Sequence, residues 1–302
     1  VKARVGELEL EYDTFGSRDY PAMLLVMGLG SQMVHWDENF CRLLAEHGFF
    51  VVRFDNRDVG LSTKLEAAGR PNVPQAYMDA GMGRPVTAPY RLWDLADDAI
   101  GLLDELEIDR AHVVGVSMGG MIAQEMAVAH PSRVLTLASI ASTTGEPGLP
   151  GPTPAAQAIL LEPPPRDRAA FIDRALRVYR VIGSPGFPRD EDRIARIAGM
   201  AFDRSFYPVG FARQLVCVLA SGSRKKKLAA VHCPTVVLHG ADDPLVPVAC
   251  AKDTAASIPG AELVIIEGLG HELAPGAWPR IIDVLARNAA RANATASQEV
   301  AR

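Results

Sequence analysis

His112-Val113-Val114-Gly115-Val116-Ser117-Met118-Gly119-Gly120-Met121-Ile122-Ala123 is the stretch that decides how this chain folds. Residues 112–116 form a short Val-rich run, the composition of a strand buried on both faces. From Met118 a helical pattern runs to residue 130 and stops before Pro131. Between strand and helix stands G-x-S-x-G, with Ser117 at its centre. In that context the pattern marks a sharp turn that lifts a serine hydroxyl above the end of a sheet. Such a turn needs small neighbours, because strand and helix approach closely, and Gly115, Gly119 and Gly120 meet the need. It also aims the Met118 N–H, at a helix N-terminus, toward the space in front of the serine.

Outward from this stretch the same alternation repeats. Apolar runs at 23–27, 49–54, 134–140, 235–238 and 263–266 read as further buried strands. Helical patterns lie at 38–46, 92–106 and 274–291, the first ending at His47-Gly48. Strand–helix alternation of this kind predicts an α/β fold with a doubly wound, mostly parallel sheet. The alternating opening segment, 5–15, adds an antiparallel edge hairpin, for eight strands in all. Two stretches interrupt the rhythm. Residues 64–91 are rich in Pro, Gly and Ala and read as an enlarged loop. Residues 143–228 open with a Gly/Pro-rich linker and continue as helical patterns at 168–181 and 191–202. The expected organisation is a core of residues 1–142 and 229–302, with 143–228 inserted after the sixth strand as a helical cap.

A serine hydroxyl is a poor nucleophile until a base removes its proton, and the base is best oriented by a carboxylate. Of the seven histidines, His271 is the best placed. It follows the last strand in Gly268-Leu269-Gly270-His271, a turn able to swing it toward Ser117. His112 lies at the wrong end of its strand, and His47 and His130 sit at helix C-termini. His239 ends a strand and reads as structural. The acid comes from Gly240-Ala241-Asp242-Asp243-Pro244. Asp243 is preferred, and Asp242 is its rival, read instead as a turn stabiliser. Ser117, Asp243 and His271 all fall at carboxyl ends of strands, where open α/β sheets place their sites. A second backbone donor facing the serine is expected from Met27-Gly28-Leu29-Gly30, at the Leu29 N–H, beside that of Met118. A nucleotide-binding reading of this loop fails for want of a third glycine at Met33.

Composition narrows the function classes. The 302 residues are 48% hydrophobic with a net charge of −5, and no extended basic face suggests nucleic acid. The one basic run, Arg224-Lys225-Lys226-Lys227, reads as a solvated helix end or loop. Cys41, Cys217, Cys233 and Cys250 are scattered, which argues against a metal centre or a disulfide framework. No cofactor or metal is called for. The apolar run at 22–27 is too short to span a membrane and too deep in the chain for a signal peptide, so a cytoplasmic protein is expected. Asn293-Ala294-Thr295 matches a glycosylation acceptor in a polar tail and is read as a chance match.

On these blocks, together with Asp55-Asn56-Arg57-Asp58-Val59-Gly60-Leu61-Ser62, the sequence resembles the α/β-hydrolase superfamily along nearly its whole length. The chain order Ser, Asp, His is that superfamily's order. The resemblance implies a triad serine hydrolase with a lid after the sixth strand. Many relatives carry His at the position of Met27 and Gly at that of Asp58. Both departures resemble the branch of aclacinomycin methylesterase-type enzymes and related bacterial esterases. Asp55 and Arg57 are expected to brace the loop after their strand. The activity expected is hydrolysis of a small-molecule carboxylic ester. Gly28, His35, Tyr77, Met78, Met82 and Leu245 are the candidate substrate-binding residues, an apolar lining suited to a hydrophobic group. Carbon–carbon bond hydrolysis or lactone opening by the same triad is the alternative, and a binding protein that has lost turnover is a third reading. A homodimer is left open.

Overall fold

The computed structural model describes residues 1–300, with side chains described over 1–292; Asn293-Ala294-Thr295 lies outside the described side chains. Eight strands form one sheet: β1 (Lys2–Val5), β2 (Leu8–Phe15), β3 (Ala22–Val26), β4 (Phe50–Phe54), β5 (Ala111–Val116), β6 (Val134–Ile140), β7 (Thr235–Gly240) and β8 (Glu262–Ile266). Their spatial order is β1-β2-β4-β3-β5-β6-β7-β8. β1, β2 and β4 pair antiparallel, and every pairing from β4 to β8 is parallel. The opening hairpin turns through Gly6, at φ +58°.

Every residue of β3 and β4 is buried, the signature of strands covered on both faces. On one face α3 (Leu92–Glu105) and α4 (Met118–Ala129) pack over Leu24, Val52 and Val113. On the other, α1 (Glu38–Glu46) and α11 (Trp278–Val300) pack over Met23, Leu25 and Val114. α1 starts at Asp37, whose side chain caps the Asn39 N–H, one of the donors a helix start leaves without a partner.

The chain runs from β3 outward to β4, then returns to place β5 on the other side of β3. The order therefore reverses between β3 and β5. Loops leaving adjacent parallel strands on opposite sides of such a switch point open a crevice at their carboxyl ends. The loop after β3 carries Gly28 and Leu29, and the loop after β5 carries Ser117.

Both interruptions contain helices. Residues 64–91, read from sequence as a loop, hold α2 (Val73–Gly81), started by the Asn72 side chain with Pro74 in its first turn. Between β6 and β7 lie α5 (Pro154–Leu160), α6 (Arg168–Ile182), α7 (Glu191–Arg204), α8 (Pro208–Ser221) and α9 (Lys225–Leu228). α10 (Val248–Ser257) links β7 to β8. The basic run is only partly solvated. Arg224 is buried, donating to Gln124 Oε1 at 2.9 Å and Thr143 O at 2.9 Å, whereas Lys225 and Lys227 stay half-exposed beside Asp253 and Glu125. Among the described residues no helix is long and apolar enough to cross a membrane.

Candidate active site

Ser117 sits between β5 and α4 with φ +57° and ψ −120°, a backbone conformation that L-residues avoid. Three glycines around it have no room for a side chain. A Cβ on Gly115 would lie 2.0 Å from Gly119 O, one on Gly119 2.0 Å from Val26 O, and one on Gly120 2.6 Å from Ser142 Cβ. The turn is pinned by Ser117 N–H donating to Ile140 O at 2.9 Å and by Ser142 Oγ donating to Ser117 O at 2.8 Å. Ser117 stands at the N-cap position of α4, yet its hydroxyl makes no capping bond. It is left for another partner.

That partner is His271. Its Nε2 lies 3.1 Å from Ser117 Oγ, and its Nδ1 lies 2.7 Å from Asp243 Oδ2. A carboxylate only accepts, so Nδ1 carries the hydrogen and Nε2 is free to accept from the serine. The Asp243 side chain is fully buried, and its second oxygen accepts from Leu245 N–H at 2.9 Å and Val246 N–H at 2.8 Å. Those two amides hold the carboxylate in place. Asp242 turns the other way, accepting from Gly268 N–H at 2.8 Å. It ties the β7 loop to the β8 loop that carries His271. His239 lies behind Asp243, its Nε2–H donating to Val246 O at 2.7 Å. Burial pushes its pKa down.

The loop after β3 lies directly over the serine. A Cβ on Gly28 would come within 3.2 Å of Ser117 Cβ, so only glycine allows this approach without displacement. Neither Leu29 N–H nor Met118 N–H donates to another described residue. Both leave a donor beside the serine.

The structure brings Ser117, Asp243, His271, Leu29, Met118, Gly28 and Leu245 into one neighbourhood. Among the described residues, no hydrogen bond ties His35, Tyr77, Met78 or Met82 to the triad. His35 shares a hydrogen with Gln32 O at 3.0 Å, and burial lowers its pKa among Asp55, Arg204 and Arg193. Tyr77 is half-buried on α2, where burial raises its phenol pKa. Met78 and Met82 are 50% and 66% exposed.

A model of the α/β hydrolase fold matches residues 21–275. The chain belongs to the α/β hydrolase fold family. This α/β hydrolase is 30% identical to rhodomycin D methylesterase DauP of a Streptomyces species over 88% of its own length and 90% of the relative's. It is 26% identical to 3-oxoadipate enol-lactonase 2 of Acinetobacter baylyi, covering 86% of each chain. The solved meta-cleavage product hydrolase from Pseudomonas fluorescens IP01 shares its fold at a TM-score of 0.73 and 18% identity, over 97% of this chain and 98% of that one.

The site has partners that the sequence motifs did not reveal, contributed by the segment between β6 and β7. His271 N–H donates to Ile182 O at 2.7 Å, and Gly270 N–H to Ser184 Oγ at 3.0 Å. Glu272 Oε1 accepts from Ser184 N–H at 2.7 Å. Asp55 accepts from Met33 and Leu61 amides and pairs with Arg204 at 2.9 Å. Arg57 pairs with Asp98 through two 2.5 Å hydrogen bonds.

Proposed function

We propose that this α/β hydrolase cleaves carboxylic esters by two-step acyl transfer. Ser117 Oγ attacks the ester carbonyl while His271 Nε2 takes its proton. Asp243 fixes the imidazole in the tautomer with hydrogen on Nδ1 and stabilises the charged ring once it forms. Leu29 and Met118 amides hold the oxyanion, each worth roughly 10²–10³ in rate by analogy with other oxyanion donors. His271 returns the proton to the leaving alcohol, and water repeats the sequence to release the acid. The observation that carries this reading is the 3.1 Å approach of His271 Nε2 to a serine held in a left-handed turn. A solvent-facing serine in a Gly-rich turn has no need of that strain.

The segment 143–228 is proposed as a cap over this centre. Its bonds to the His271 loop support the assignment. The methylesterase relative favours a methyl ester. The enol-lactonase relative supports a second reading, opening of an internal ester by the same groups; relative kcat/KM on a methyl ester and on an enol-lactone decides between them. A cytoplasmic location belongs to the same proposal, because Cys41, Cys217, Cys233 and Cys250 are free thiols, as a reducing compartment keeps them.

A fluorophosphonate tests the nucleophile. Intact mass should show one covalent adduct on the native protein and none on Ser117→Ala. An adduct retained by Ser117→Ala, or none on folded native protein, would refute the assignment.

A further inference from the structure

The loop that supplies the Leu29 amide is held from the far side by helix α8. Gly30 follows Leu29 at φ +67° and donates its N–H to Gln214 Oε1 at 2.8 Å. The other end of the same side chain, Gln214 Nε2, donates to Arg57 O at 2.9 Å. Gln214 is fully buried and uses both ends of its amide. It thus clamps the loop after β3 to the loop after β4. Phe211, one turn earlier on the same helix face, backs the clamp. A Cβ on Gly30 would lie 2.4 Å from the Phe211 ring. Gly210 lets α8 come this close, since a Cβ there would fall 1.9 Å from Asp58 O.

The direction of the Leu29 N–H is set by the peptide plane between Gly28 and Leu29. Gly28 is pressed against Ser117 on one side, and Gly30 is bonded to Gln214 on the other. With both flanks fixed, the intervening amide has little freedom to rotate away. We infer that Gln214 is a positioning residue for the oxyanion donor, so that the segment between β6 and β7 completes the catalytic centre as well as covering it. This inference rests on the ester-hydrolase reading above. Gln214 touches no reacting atom. It acts through Gly30 on Leu29, and donors preorganised toward developing charge matter in the transition state more than in the bound ester.

The test compares Gln214→Met, which keeps the volume and removes both hydrogen bonds, with Ser221→Ala. Ser221 lies on the same helix and accepts from Leu92 N–H at 2.9 Å, away from the loop. For each variant, kcat and KM on a p-nitrophenyl ester, the inhibition constant of a boronic acid that forms a tetrahedral serine adduct, and Tm are measured. Ester affinity is taken separately in a Ser117→Ala background. Gln214→Met should lose roughly 10- to 100-fold in kcat, part of the cost of deleting an oxyanion donor outright. Boronate affinity should fall by a similar factor, with ester affinity unchanged. Ser221→Ala should lower Tm and leave kcat and boronate affinity alone. Should Gln214→Met fail to fold, Gln214→Glu carries the test. Its carboxylate keeps an acceptor for Gly30 but sets negative charge beside the oxyanion, so kcat and boronate affinity should again fall together. Native-like kcat and boronate affinity in a folded Gln214 variant, or equal losses in Ser221→Ala, would overturn the positioning role and leave the hydrolase reading intact. Absence of turnover by the native protein would overturn both.

Discussion

Asp242 and Asp243 carry the same side chain at adjacent positions, and the fold points them at different partners. Asp243 faces His271 Nδ1, whereas Asp242 braces Gly268. In Asp243→Asn the amide oxygen stays with the Leu245 and Val246 amides and the NH2 group, a donor, faces Nδ1, so the ring is driven to the wrong tautomer. A loss in kcat on the order of 10⁴ is expected, as in other triads. Asp242→Asn keeps an oxygen for Gly268 and should hold kcat within a few-fold. Steady-state kinetics of the two variants make the comparison. His112 poses a separate question at this scale. It is buried on β5 beside β6, with Nδ1 2.9 Å from Thr136 Oγ1, and burial lowers its pKa to about 4. The unfolded chain takes up a proton near 6.5 while the folded chain resists until about 4. Stability linked to this residue is therefore complete above pH 6.5 and declines as pH falls toward 4. The integrated effect is at most about 3 kcal/mol at 1.36 kcal/mol per unit. Urea midpoints measured from pH 7 to 4.5 should fall less steeply in His112→Gln than in the native chain.

Among the elements, the β4 loop and α8 lean on one another through Asp58. This residue has φ +68°, where glycine would be free of strain. Its carboxylate accepts from Leu65 N–H at 2.8 Å, Tyr90 Oη–H at 2.9 Å and Arg213 Nη1–H at 2.6 Å. Asp58→Gly would relieve about 1–2 kcal/mol of backbone strain. It would also strand the buried Arg213 charge, which costs about 3–5 kcal/mol, and leave Tyr90 and Leu65 without acceptors. The variant should be less stable by a few kcal/mol in chemical denaturation, although glycine suits the backbone. Equal or greater stability would show that the α8 contact carries no weight. Here the sequence was silent. A turn motif is written in consecutive residues, and so Ser117 and His271 could be read from their neighbours. Asp58 with Arg213, Gly30 with Gln214, and Gly270 with Ser184 each join positions far apart in the chain. No local pattern marks one member as the partner of the other. α2 was missed for a related reason: its Pro- and Gly-rich flanks read as loop, while Asn72 and Pro74 act as a helix start.

At the scale of the whole molecule, the sheet order and the inserted helices together set the site. Strand runs as short as 23–27 and 134–140 were legible because a strand buried on both faces must be apolar at every position. The neighbour order β4-β3-β5 was not, since apolar runs do not say which strand they pair with. That order places the Gly28 loop against Ser117 across the switch point. The segment between β6 and β7 then bonds to the loop on each side of the serine, at Gly30 through Gln214 and at His271 through Ile182 O. These bonds tie the inserted segment to the loops that carry Gly30 and His271. We propose that these parts make Ser117 an ester-cleaving nucleophile. Turnover of p-nitrophenyl esters, acetate through decanoate, by native protein and by Ser117→Ala tests this. The native protein should turn them over with a preferred chain length, and the variant should lose kcat by a factor on the order of 10⁶. Folded native protein that turns over none of these esters, nor a methyl ester or an enol-lactone, or a Ser117→Ala variant as active as the native chain, would contradict it.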